Sequence, residues 1–225
     1  MPCVRPEWVV ISMLFSGGFS ASWFLNLLYS LPAILIALSF HEFAHAWMAN
    51  KMGDPTAKNL GRLTLDPVKH LDLIGTICLI LFRFGWAKPV PINPRNFRKP
   101  KRDEVLVSLA GVFMNLLVAF IATGVYIALL VAGVTSEVVL SIIQPIIMIN
   151  IYLAIFNLIP IPPLDGFHII SALFIRKAGQ VVNILYRYGF IILLVLLLTG
   201  VIGMVLGFVS DGILTAYSAF FGLFI

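Results

Sequence analysis

Long apolar runs separated by short polar stretches pattern this chain. After the Gly/Ser-rich break "SGGFSAS", residues 23 to 50 form an apolar run long enough for a bilayer-crossing helix, which takes about 20 such residues. Three further runs of this kind cover residues 105 to 134, 138 to 158 and 188 to 208. Between the first two, the chain is polar from Lys51 to Arg102 and carries the turn signals "GDP", "LDP", "INP" and "RKP". One apolar stretch, "LDLIGTICLILF", interrupts it. That stretch is too short for an ordinary span and predicts a re-entrant or β-like segment. The following "WAKPVPINP" cannot be helical, because Pro89, Pro91 and Pro94 have no backbone N–H to donate. Residues 1–22, with "WVVISMLF", read as an interfacial or re-entrant segment rather than a cleaved signal. The closing "SDGILTAYSAFFGLFI" reads as an interfacial helix or part of another crossing. The expected fold is an all-α membrane protein, a polytopic bundle of about four to six transmembrane segments with one short re-entrant or β-like segment. We expect one domain over residues 1–225, with its core at 23–172 and a C-terminal span and tail at 173–225.

Composition agrees with that pattern: 60% of residues are hydrophobic and only 11% charged, with a mean hydropathy of +1.03. These values exclude an ordinary soluble domain. The net charge of +5 could suggest a nucleic-acid partner, but the basic residues sit in short loops beside apolar runs. There they act as topology signals, and the expected partner is the lipid bilayer. Of the fifteen Lys and Arg residues, eleven fall in residues 51–104 and three in 167–190, with only Arg5 elsewhere. Both stretches lie on one side if the first span exits at Lys51, so that side is predicted to be cytoplasmic. The other side would carry "TSE" after the second span and Asp211 after the fourth. Cys3 and Cys78 are far apart and lack the spacing of a disulfide or metal pair.

Candidate chemistry lies inside the first span, in "SFHEFAHAW". Ionisable groups are expensive in a bilayer and mark function by default. His41 and His45 are four residues apart, so a helix places them on one face, one turn apart, where both imidazoles can bind one metal ion. Glu42 completes His-Glu-x-x-His, in which the carboxylate works on a water rather than on the metal. A lone buried histidine is more often a satisfied core residue. That account leaves the second histidine and the adjacent carboxylate unexplained.

Catalytic zinc usually has three protein ligands and an open position, so a third ligand is required. Asp54, Asp66, Asp72, Asp103 and Glu104 lie in the basic loop region, where solvated or ion-paired roles suffice, and Glu137 and Asp211 fall on the opposite face. Asp165 remains, in "NLIPIPPLDGFH", where Pro160, Pro162 and Pro163 stop a helix and Gly166 allows a tight turn back into the bundle. His168 is a competing ligand three residues on. Asn115 in the second span and Asn157 before the broken segment carry amides that are costly to bury unpaired. They could hold the scissile peptide or an oxyanion, or they could bond between helices.

Taken together, "HEFAH", "AGVFMN" and "NLIPIPPLDG" resemble, in order, the motifs of the site-2 protease family of intramembrane zinc metalloproteases. The likeness continues through "GDPTAKNLGRLTLDPVKHLDLIGT" and "FGWAKPVPINPRNFRKPKRD", which are similar to the compact prokaryotic branch without a PDZ domain. The resemblance implies Zn2+ on His41, His45 and Asp165, Glu42 as catalytic base, and Asn115 and Asn157 near the substrate. It also implies cleavage of single-span transmembrane proteins by a multi-pass enzyme of the cell membrane, with the active site toward the cytoplasm. Leu73, and Phe167 with His168, depart from the family pattern without touching an expected ligand. Two rival readings are a metal transporter, which would need polar sites along a pathway or paired broken helices, and a non-catalytic membrane protein that binds zinc.

Overall fold

A computed structural model describes residues 21–82, 86–174 and 179–224, so the segment expected to be interfacial or re-entrant at 1–22 lies almost wholly outside the described residues. The described chain is a helical bundle. Helix α1 (Ala21–Met52) is followed by two single-turn helices, α2 (Thr56–Asn59) and α3 (Pro67–His70), and by α4 (Leu73–Phe82). A 3-10 turn at Pro94–Asn96 leads into α5 (Pro100–Val131), then come α6 (Glu137–Asn157), α7 (Asp165–Phe174), α8 (Gly179–Leu198) and α9 (Val201–Gly222). Four of these, α1, α5, α6 and α9, are long and apolar enough to cross a membrane, and the apolar part of α8 is shorter.

Helices α1, α5 and α6 pack against one another, and α7 lies on α5. On α1 the contact surface is made of small residues, with Ala33, Ala37, Ala44, Ala46 and Ala49 all buried, which lets neighbouring backbones approach closely. Between α5 and α6, Ala119 meets Ile147, Ile151 and Ile155, and Leu206 and Ile213 of α9 close over them. Large apolar side chains on the outside, such as Phe113 and Phe208, present the surface that a bilayer covers.

Of the two readings of the stretch after Leu71, re-entrant or β-like, the β-like one fails, and the predicted fourth span changes. The stretch after Leu71 is a helix, not a strand, and the β-pairing among the described residues is one isolated antiparallel bridge between Leu71 and Ala87. Asp72 starts this helix by accepting from Gly75 N at 2.8 Å, and this cap favours the helix where an unbroken apolar run carries no period of its own. With ten residues, α4 is about 15 Å long, half the thickness of a hydrocarbon core.

The predicted fourth span, 188 to 208, is not one helix. It is cut between Leu198 and Val201, where Gly200 adopts φ +77°. A glycine in the left-handed region ends a helix at little cost, and apolar flanks hide that signal from a hydropathy reading. The tail is therefore part of a membrane-length helix. Asp211 lies midway along α9 rather than in a loop beyond a span.

Candidate active site

Both histidines come from α1, and their rings are held from behind by α5. His45 Nδ1 lies 2.8 Å from the backbone oxygen of Val107, which can only accept, so the proton sits on Nδ1 and the lone pair on Nε2. His41 Nδ1 donates to Asn115 Oδ1 at 3.2 Å, and its Nε2 is likewise free. The two Nε2 atoms face each other at 2.9 Å.

Asp165 supplies the third atom. Its Oδ2 is 3.2 Å from each Nε2 and is buried with no hydrogen-bond donor. Two nitrogen lone pairs and a carboxylate oxygen at these distances repel one another unless a cation lies between them. Ligands about 2.0–2.1 Å from a tetrahedral metal are about 3.3 Å apart, close to the spacing here. Two imidazoles and one carboxylate with an open fourth position form a catalytic-zinc donor set. Among the described residues, His41, His45 and Asp165 are the one such group.

Backbone geometry places Asp165. Helix α6 ends at Asn157, the proline-rich turn follows, and α7 begins at Asp165 itself. Gly166 packs so closely on the end of α6 that a Cβ there would run into the carbonyls of Leu158 and Ile159. Without a side chain, the first turn of α7 can dock and point Asp165 back at α1. His168, the competing ligand, is instead 3.6 Å from Glu104 Oε1, and both line the cleft.

Glu42, one residue after His41, lines the same cleft, which has a volume of about 360 Å³. Its Oε2 accepts from the backbone N of Val90 at 2.8 Å. Asn157 lines the cleft, while its amide donates to Leu153 O one turn back in its own helix at 3.0 Å. Asn115 is fully buried behind His41 and is not among the cleft residues.

Gly111 lies on α5 one turn before Asn115 and is buried. An added Cβ would lie 2.6 Å from both His41 Cε1 and His45 Nε2, so the glycine forms the floor under the two rings. The Val107 carbonyl and Val90 N–H were not found from sequence, because every residue has such groups and their use depends on the fold.

The sequence profile described as Peptidase family M50 matches residues 127–196, which include Asn157 and Asp165. A Bacillus subtilis protein named "Putative zinc metalloprotease YwhC" is 40% identical over 202 residues, covering 86% of this chain and 92% of that protein. Rip2 of Mycolicibacterium smegmatis, described in the same words, is 30% identical over 169 residues, covering 73% of this chain and 64% of that protein. No solved structure matches the chain. The resemblance carried by three short motifs thus extends over most of the sequence, and the chain belongs to peptidase family M50, the site-2 protease family of intramembrane zinc metalloproteases.

Proposed function

We propose that this protein is a site-2 type endopeptidase that cuts single-span membrane proteins within or beside their transmembrane segments, on the cytoplasmic side of the cell membrane. The observation that carries the proposal is the meeting of His41, His45 and Asp165 in a cleft shared with Glu42, lined by the membrane-length helices α1 and α5 and by residues of the 89–97 segment. His41, His45 and Asp165 hold zinc, which when bound polarises the scissile carbonyl and makes water a better nucleophile. Glu42 takes the proton of the attacking water and passes it to the leaving amine. Asn115 orients His41 by accepting from its Nδ1, and such outer partners govern how well a ligand binds. Asn157 lies beside the substrate. Residues 1–225 act as one catalytic unit, with the core at 23–172.

A helical substrate hides its peptide bonds in its own hydrogen bonds, so it must unwind before attack. An extended substrate segment can then pair with the extended 87–92 stretch at the cleft. Pro89 and Pro91 lie on one edge of that stretch and offer carbonyls alone, so the substrate must be the donor there. Helix α4 has no open edge, which leaves 87–92 as the pairing element.

Purified protein incubated with a panel of single-span membrane peptides is expected to cut at least one of them, to lose that activity on zinc chelation, and to regain it when zinc is restored. Cleavage that survives complete zinc removal would overturn the proposal. The orientation has a separate test. Lys58 is exposed in the basic stretch, and Lys58→Cys, in a chain with Cys3 and Cys78 replaced by serine, is expected to react with an impermeant maleimide in inverted vesicles only. Labelling in right-side-out vesicles would reverse the topology.

A further inference from the structure

The hydrogen bond that holds Glu42 depends on a segment far from it in sequence. Val90 lies between Pro89 and Pro91, so its N–H is the only backbone donor in that tripeptide, and Glu42 Oε2 takes it. On one side the segment is tied down at Lys88, whose N donates to His70 O at 2.8 Å and whose carbonyl accepts from Arg62 Nη2 at 2.6 Å. On the other side it is tied down by Asp54. Asp54 Oδ2 accepts from Asn93 N at 2.7 Å, and Oδ1 accepts from Asn96 Nδ2 at 2.8 Å, from Thr56 N at 3.1 Å and from the Thr56 hydroxyl.

Asp54 is fully buried and follows the end of α1 by two residues. Burial alone would push its carboxyl up, but the donors from Thr56, Asn93 and Asn96 hold it below the usual carboxylate range. One helix therefore grips the segment twice, through Glu42 in its interior and through Asp54 just past its end. Val90 packs with Ala46 of α1 and Ala57 of α2, which fixes the register between the two grips.

We propose that Asp54 is a positioning residue for the catalytic base: it anchors residues 93–96 so that the Val90 N–H stays on Glu42 and leaves the other carboxylate oxygen for the attacking water. The inference rests on Glu42 being the base of the proposed protease. Without Asp54 the segment keeps its tie at Lys88 but loses the one beyond Val90, so the Val90 N–H shifts against Glu42, and loss of alignment by about 1 Å costs turnover heavily.

The test is hydrogen–deuterium exchange on the purified full-length protein, read at the Val90 and Asn93 amides, with zinc content and kinetics on the peptide panel. In Asp54→Asn, one acceptor oxygen becomes a donor facing donors. Exchange at Val90 is expected to speed up at least about 10-fold, with zinc content unchanged, kcat down by about 10- to 100-fold and KM within about twofold. Wild-type protection at Val90 in this variant overturns the proposal. Should Asp54→Asn not fold, Val90→Pro decides, because it removes the N–H and leaves Asp54 and its partners intact. It is expected to lower kcat similarly with zinc and Asn93 protection kept, and an undiminished kcat overturns the proposal. If the wild type cuts nothing in the panel, the exchange result still decides whether Asp54 holds Val90 on Glu42, and the protease assignment fails separately.

Discussion

Replacing Gly111 by alanine is expected to weaken zinc binding severely and to lower activity with it. The new Cβ would sit 2.6 Å from His41 Cε1 and His45 Nε2, and 2.7 Å from His41 Nδ1, well inside any tolerable carbon contact. Neither ring can yield and keep its place. His45 is bonded to the Val107 carbonyl and His41 to Asn115, so a ring that swings away loses both its outer partner and its aim at Asp165. Perturbing such an outer partner alone costs about 10- to 100-fold in metal affinity, and displacing a ligand costs more. We expect zinc affinity to fall at least about 100-fold, measured by metal content after dialysis against a competing chelator. Gly212→Ala is the control. A Cβ there meets nothing within 4 Å, and a helix prefers alanine, so zinc and activity should match the wild type. Full zinc occupancy in Gly111→Ala would mean that the imidazoles are arranged differently.

The second large effect separates chemistry from binding. Glu42→Gln is expected to lower kcat by about 10²- to 10⁴-fold, the usual contribution of a general base, with zinc content unchanged. Glutamine has nearly the same shape, and its amide oxygen can still accept from Val90 N as Glu42 Oε2 does. The side chain therefore stays in place while it loses the ability to take a proton at neutral pH. Measured beside the wild type on one peptide at equal zinc, undiminished kcat would remove Glu42 as the base. Loss of cleavage with zinc retained would also separate an enzyme from a transporter or a passive zinc binder, since neither of those needs a carboxylate there.

Some of this protein could be derived from sequence because the governing physics is local or periodic. Apolar runs define membrane helices since a bilayer core offers no water to backbone groups, and α1, α5 and α6 begin and end within a few residues of the predicted runs. The helical repeat alone puts His41 and His45 on one face. Elimination among the acidic residues singled out Asp165 as the candidate third ligand, in a segment to which prolines and a glycine leave few conformations, and the fold brings its Oδ2 to 3.2 Å from both Nε2 atoms. Hydropathy alone did not reveal the break at Gly200, where one glycine's backbone angle outweighs the apolar residues on both sides. Nor could it choose between helix and strand for residues 73–82, since an unbroken apolar run carries neither period.

The rest is decided by contacts across long stretches of chain. Asn115 is behind His41 at a separation of 74 residues, and Val90 bonds Glu42 across 48. The closeness of Gly111 to both rings comes from the packing of α5 on α1. Hydropathy, helical period and turn chemistry describe a residue's immediate neighbours. Which backbone N–H meets which carboxylate depends on how whole helices and loops pack, and that information lies only in the tertiary structure.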